Sequence, residues 1–323
     1  MEQEKNRKIS INKNAIQEVE EVLAYLKNIQ GKGILCGQHT QTMEQQELHY
    51  IKEHTGFFPA LCGFELLAYS PNIHYEESGE ACLKEVYENQ NTLEKAWEWA
   101  QEKKGLITFT WHWFSPLGGR DKAFYTEHTD FDPIQATIEG TPENIAFVSD
   151  MDQMAEHLKK FAEAKIPILW RPFHESEGTW FWWGAKGPKI AAKLYQMMYN
   201  RYTEHHQLNH LIWVWNCPLE EGYVGDAYAD ILSVDVYLKP YEHIDYVEHY
   251  HKLRALTSAD KIFALGEIGN LPSLKALEQS KVPWTYFMVW SYPFGATENN
   301  TKKEVLKEVY QNSYAITLER FSI

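Results

Sequence analysis

Short runs that are apolar, β-branched or aromatic at nearly every position recur along the chain, each followed by a polar or glycine-rich stretch and then an amphipathic segment. Eight such runs predict strands at residues 33–38, 59–64, 106–111, 166–172, 211–215, 231–236, 263–266 and 286–290. Apolar character on nearly every residue suits parallel strands covered on both faces, whereas a half-exposed antiparallel strand would alternate. Helical spacing falls between them, at residues 16–29, 83–103, 152–164, 191–205 and 246–256. In the third of these, Met154, Ala155, Leu158, Phe161 and Ala162 recur at three- and four-residue intervals with Glu and Lys opposite, and Asp150 or Asp152 is placed to cap its start.

Repeated strand, helix, strand units imply a parallel sheet. Eight of them, with no glycine-rich dinucleotide fingerprint, no phosphate-binding loop and no linker, favour closure into one (β/α)8 TIM barrel over a doubly wound sheet. The length of 323 residues fits such a barrel, about 250 residues, plus insertions. The expected organisation is therefore one catalytic α/β barrel domain over residues 1–323, with 1–15 as a lead-in segment. No solenoid-length repeat or low-complexity segment interrupts it.

Charge narrows the partners. With 31 Lys and Arg against 45 Asp and Glu, the net charge of −14 argues against nucleic acid, which needs clustered basic residues. No apolar run approaches the roughly 18 residues of a membrane helix. The four cysteines, Cys36, Cys62, Cys82 and Cys217, contain no C-x-x-C pair and read as reduced, mostly buried thiols. The opening MEQEKNRKIS lacks the apolar core of a signal peptide, so a cytoplasmic location is expected if Met1 is the native start, and the sequon at Asn299 reads as a chance match.

The aromatic content changes the picture more. The chain has 12 Trp, 19 Tyr and 15 Phe, and they cluster beside charged residues in Trp111-His112-Trp113, Trp180-Phe181-Trp182-Trp183 and Trp290-Ser291-Tyr292. Sugars expose flat C–H faces that stack on aromatic planes, while their hydroxyls need carboxylates, imidazoles and amides. Apolar platforms next to polar groups are what a carbohydrate site requires.

In a closed barrel the reactive groups sit at the C-terminal strand ends. Those ends supply Gln38-His39, Glu65, His112-Trp113, His174-Glu175, Asn216, Asp235-x-Tyr237, Glu267 and Trp290-Ser291 in strand order. A purely structural barrel has little reason to gather such groups, since an unpartnered buried carboxylate costs several kcal/mol. Glu175 and Glu267 leave strands four and seven and face each other across the mouth. Two facing carboxyls are the minimal equipment of glycoside hydrolysis, one protonating the departing oxygen and one attacking or assisting at the anomeric carbon.

These residues carry a resemblance. Trp170-Arg171-Pro172-Phe173-His174-Glu175, then Gly178-x-Trp180-Phe181-Trp182-Trp183-Gly184, then Gly266-Glu267-x-Gly269 and Trp290-Ser291 together resemble glycoside hydrolase family 26, the retaining β-mannanase family within a large clan of (β/α)8 glycosidases. The fourth-strand block is the specific part, and the resemblance spans most of the chain. It implies Glu175 as general acid/base, Glu267 as nucleophile and His174 in place of the Asn that precedes the acid in much of the clan, hydrogen-bonding near the nucleophile and the reacting sugar. It further implies Tyr237 as support for the nucleophile, Trp180 and Trp290 as aromatics framing the scissile sugar, and His112 and Asp235 as polar groups reaching substrate hydroxyls. Ser291 stands where some relatives have Arg.

The implied partner is a β-linked oligo- or polysaccharide, mannan or manno-oligosaccharide first, with mixed-linkage β-glucan, xylan or non-catalytic sugar binding as alternatives. No metal or organic cofactor is expected. The chain has no H-x-H on its first strand, and position 178 is Gly where H-E-x-x-H would need His. Glu175 must keep its proton at working pH and Glu267 must not. Desolvation among Trp180, Phe181 and Trp183 is expected to raise the acid, and hydrogen bonds from His174 or Tyr237 to hold the nucleophile low. Arg171 reads as a buried partner for carboxylates, Trp182 and Trp183 as packing or sugar contacts, and His205-His206 and Glu220-Glu221 as solvated.

Overall fold

The computed structural model describes residues 8–117, 123–295 and 297–323. Eight parallel strands close a ring: β1 (Ile34–His39), β2 (Leu61–Glu65), β3 (Leu106–Thr110), β4 (Ile168–Arg171), β5 (Leu211–Asn216), β6 (Ile231–Val236), β7 (Ile262–Ile268) and β8 (Tyr286–Val289). Each pairs with the next, and β8 returns to β1 with Leu35 opposite Tyr286 and Gln38 opposite Val289. Barrel closure staggers neighbouring strands. The stagger leaves the lower edge of β1 unpaired by β2, and β9 (Ala315–Ile316) fills it, parallel to Ile34 and Leu35.

Around the ring run α1 (Gln17–Ile29), α2 (Gln46–Thr55), α3 (Glu80–Glu88), α4 (Thr92–Glu98), α5 (Pro133–Ala136), α6 (Pro142–Glu163), α7 (Pro188–Asn200), α8 (Val247–Ala255), α9 (Leu274–Ser280) and α10 (Lys303–Gln311). Among the described residues, no helix is long and apolar enough to cross a membrane. Cys36, Cys62 and Cys217 are buried free thiols and Cys82 is half-buried.

Strand residues sort by parity into two cores. Ile34, Cys36, Cys62, Phe64, Ile107, Phe109, Ile168, Trp170, Trp213 and Trp215 point outward and pack under the helices. Leu35, Leu61, Leu106, Leu169, Ile212, Val214, Ile231, Ile262 and Ala264 point into the lumen. That lumen is plugged from below by Val19, Val22, Leu23, Leu26 and Ile29 of α1. The lower barrel is therefore a dry packed core, and only its upper end is free for chemistry.

Several predicted helices differ in detail. The stretch 83–103 is not one helix: it breaks into α3 and α4 at Asn89-Gln90-Asn91, where Asn91 takes a left-handed φ of 59°, a conformation Asn tolerates. The helix expected at 152–164 starts at Pro142, capped by Thr141, whose hydroxyl accepts from the Asn144 amide at 3.1 Å. Asp150 and Asp152 are thus mid-helix and cap nothing. Asp150 accepts from the indole of Trp113 at 2.9 Å, while Asp152 pairs with Arg201 at 2.7 Å. His206 is not a solvated side chain, since its Nε2 lies 2.7 Å from the Asp152 carboxylate. α2, α5, α9 and α10 have no counterpart in the predicted helices.

Candidate active site

The strand period of two carries the lumen-facing positions upward from apolar to polar. Leu61 leads to Glu65 through Gly63, Leu169 to Arg171, Val214 to Asn216, and Ile231 to Asp235 through Ser233. Strand β7 breaks parity to the same end. Val234 pairs with Leu265 but Asp235 with Glu267, so Gly266 is an extra residue that swings Glu267 into the lumen. A Cβ on Gly266 would stand 2.7 Å from the Ser233 hydroxyl and 2.9 Å from Asp235 Oδ1, so only glycine fits.

Glu267 is 4% exposed and held by two donors. Arg171, itself 2% exposed, gives Nη2 to Glu267 at 2.7 Å and Nη1 to Asp235 at 2.7 Å. The Tyr237 phenol donates to the other oxygen of Glu267. Asp235 also accepts from the Asn216 amide at 2.7 Å. The carboxylate for which the resemblance implies a substrate contact is thus engaged by Arg171 and Asn216.

Glu175 arrives by a different route. Beyond Arg171 the chain turns sharply, with Phe173 and Glu175 both in the left-handed region at φ 52° and 53°, strained for non-glycine residues. The strain is held by packing: Phe173 is buried against Trp182 and Trp183, and the Glu175 amide donates to Asn216 Oδ1 at 2.7 Å. The half-exposed Trp180 donates its indole N–H to Glu175 Oε2 at 2.6 Å. Gly178 makes room for this, because a Cβ there would meet the Trp180 ring at 2.1 Å. Trp182 and Trp183 pack below, donating to the Trp113 and His174 carbonyls at 2.7 and 2.8 Å.

Carboxylate oxygens of Glu175, Asp235 and Glu267 lie within 4.8 Å of one another. Three such oxygens could suit a hard cation. Two of these carboxylates, however, already bind one guanidinium, which supplies the positive charge. Oxygens of Glu175 and Glu267 within 4.8 Å of each other fit the roughly 5–5.5 Å carboxyl separation of direct attack on a sugar carbon and fall short of the roughly 6.5–9.5 Å used by an inverting pair.

Burial, then the charge of Asp235, pushes Glu175 up to about 7. The same two causes raise Glu267, against the opposing pull of Arg171 and Tyr237. The pair titrates as a unit, and the donors decide which member holds the proton. Among the described residues Glu267 faces a fixed cation and a phenol and Glu175 a single neutral indole, an asymmetry that favours the proton on Glu175. The donors that stabilise the charge of Glu267 are Arg171 and Tyr237. His174, expected to share that task, instead sets Nε2 3.1 Å from His112 Nε2. Glu177, absent from the expected site residues, is a further half-buried carboxyl pushed up to about 7 by desolvation, with Oε2 lacking a hydrogen-bond partner among the described residues.

On the β1–β3 and β8 side of the mouth lies a cavity of about 480 Å³, lined by His39, Glu65, His112, Tyr125, Trp290 and Tyr292 among others. Trp290 stacks on the imidazole of His39 at 4.1 Å and gives this cavity an aromatic wall. The predicted Glu175, Glu267, Tyr237, Trp180, Trp290, His112, His174 and Asp235 therefore converge at one barrel mouth. Glu65, read as a strand-end group, and Arg171, read as a buried partner for carboxylates, lie at the same mouth, and Arg171 pairs with Asp235 and Glu267.

The sequence model of glycosyl hydrolase family 26 matches residues 11–320. A mannan endo-1,4-beta-mannosidase of Thermothelomyces thermophilus is 36% identical over 303 residues, covering 91% of this chain and 59% of that protein. Mannan endo-1,4-beta-mannosidase A of Piromyces sp is 30% identical over 315 residues, covering 96% and 50%. The chain thus spans between half and three-fifths of the length of these relatives. Among solved structures, a Podospora anserina GH26-CBM35 β-(1,4)-mannanase superposes with TM-score 0.85 at 34% identity, covering 97% of this chain and 69% of that one. A β-mannanase from a symbiotic protist of the termite Reticulitermes speratus, complexed with gluco-manno-oligosaccharide, superposes at 0.84 with 27% identity, covering 96% of each chain.

Proposed function

The chain belongs to glycosyl hydrolase family 26, and from that membership we propose that it is a retaining glycoside hydrolase cleaving β-1,4-mannosidic linkages in mannan or manno-oligosaccharides by double displacement. The observation that carries the reading is the approach of Glu175 and Glu267 to within 4.8 Å, with unequal donors around them. The names of the relatives, mannan endo-1,4-beta-mannosidases, point to the substrate.

In the first step a Glu267 oxygen forms a bond to the anomeric carbon while the glycosidic C–O bond breaks, and the Glu175 proton passes to the departing oxygen. Esterification removes the negative charge of Glu267. The pKa of Glu175 then falls, and its carboxylate takes a proton from water as that water attacks the same carbon and the ester bond breaks. Arg171 stays paired with Asp235 throughout, so the site keeps its geometry as the charge of Glu267 comes and goes.

The test is hydrolysis of β-1,4-mannan, glucomannan, mixed-linkage β-glucan and xylan, with the first-formed anomer followed by NMR. Mannan or glucomannan should be cleaved with retention. Inverted product would overturn double displacement, and preference for xylan or mixed-linkage glucan would overturn the substrate.

A further inference from the structure

Three side chains on neighbouring strands form a chain of hydrogen bonds that the reaction above does not use. Glu65, 3% exposed at the end of β2, accepts the amides of His112 and Leu67 on Oε1 at 2.7 and 2.9 Å. Its Oε2 lies 2.7 Å from His112 Nδ1. The other ring nitrogen of His112 faces His174 Nε2 at 3.1 Å, and His174 Nδ1 is buried without a hydrogen-bond partner among the described residues. Both nitrogens of His112 are therefore committed, although the ring lines the cavity beside Trp290.

Two nitrogens 3.1 Å apart share one proton, so the chain has two orders. Either His112 is neutral and accepts from His174, or His112 carries both protons and donates to His174. The two backbone amides keep Glu65 ionised, and its full negative charge 2.7 Å from Nδ1 favours the second order.

We propose that Glu65 is a positioning residue of the reaction: it holds His112 as an imidazolium whose remaining N–H is spent on His174, so that His112 offers the sugar-binding cavity a fixed positive charge instead of a hydroxyl-binding nitrogen. The inference rests on the glycosidase reading of this site and deepens it. Besides Arg171, a second cation then helps keep Glu267 ionised.

The charges around His112 agree. Burial opposes its protonation, but Glu65, Glu267 and Glu85 together raise its pKa above the ordinary imidazole value. Glu65 is held down to about 2, with burial overcome by His112 and then His39. Asp235 adds to the negative side. His39 and His174 are the opposing bases, and burial keeps both neutral, His39 down to about 3.

The experiment uses the whole chain with 15N-labelled histidine. At neutral pH one histidine should show both ring nitrogens protonated, with a strongly downfield proton on one of them. Glu65→Gln keeps an oxygen for the two amides but turns a donor toward His112 Nδ1. That signal should vanish, and the acid limb of kcat/KM on mannan should move to higher pH, with a loss of roughly tenfold on that limb carried by kcat. A wild-type spectrum with only neutral imidazoles overturns the proposal whether or not the variant folds. So does a folded Glu65→Gln with an unmoved profile. The spectrum is read without substrate, so a protein inactive on mannan would sink the proposed function while leaving this inference to be judged by the histidine signals.

Discussion

Glu267 leaves a central strand into a ring of fixed partners, whereas Glu175 leaves a strained loop and meets one indole. The first carboxylate is gripped by Arg171 at 2.7 Å and by Tyr237, and Arg171 is in turn anchored by Asp235. Among the described residues the second is bonded only by Trp180, which is half-exposed. Chemically the side chains are identical. Their proposed division into a charged nucleophile and a protonated acid rests on the number and charge of the donors around each, since burial raises both.

The sharpest break of that comparison is to remove each carboxylate in turn. Glu267→Ala should lower kcat on mannan by about 10⁴-fold or more for every substrate, because no covalent intermediate can form. Glu175→Ala should lower mannan turnover by about 10²–10⁴-fold, yet lose far less on an aryl mannoside whose leaving group needs no proton. Steady-state rates on both substrates decide this, and equal losses for Glu175→Ala on the two would reverse or void the assignment.

Next in size is the hub. Arg171→Leu leaves Asp235 and Glu267 buried without their cation, a change that typically costs about 3–5 kcal/mol of stability when one partner of a buried pair is lost. Thermal unfolding should show a large drop in Tm, and activity should fall with it. An unchanged Tm would mean that the two carboxylates find other partners and that the guanidinium does not organise this side of the site.

How much of this was readable beforehand follows from period. Strand parity and parallel-strand apolarity are properties of consecutive residues, so the barrel, its eight strands and the groups at its mouth were legible. Helix ends were less so. The break at Asn91 depends on a left-handed turn, and the start of α6 at Pro142 on a cap at Thr141 that precedes any apolar periodicity. Within the site, residue types and strand ends singled out Glu175 and Glu267, and the family resemblance added Tyr237. The partnership of His174 with His112, and of Asp235 with Arg171, depends on which of several polar groups at one mouth lie within hydrogen-bond reach, and spacing along a chain does not encode that.

The bulge in β7 gives a smaller but more local test of the nucleophile's side. Gly266→Ala should force Ser233 and Asp235 aside, since the added carbon would sit 2.7–2.9 Å from their oxygens. Because Asp235 anchors Arg171, the expected result is a fall in kcat of roughly 10–100-fold, with KM little changed and the fold intact by circular dichroism. Wild-type kcat would show that the register shift is not what aims Glu267.

On the acid's side the corresponding test is gentler and reads the pKa directly. The Trp180 indole donates to the carboxylate form of Glu175 and so lowers its pKa against the upward push of burial and Asp235. Trp180→Phe keeps an aromatic face but deletes the donor. The free-enzyme acid should then hold its proton to higher pH, so the alkaline limb of kcat/KM, set in the wild type by a group near 7, should move upward. The sign is the useful part: losing a packing residue would merely scale the whole profile, whereas losing a donor to the charged form displaces one limb and leaves the acid limb, which belongs to Glu267, in place. A limb that moves downward, or both limbs moving together, would mean that Trp180 acts on the acid by some route other than this hydrogen bond.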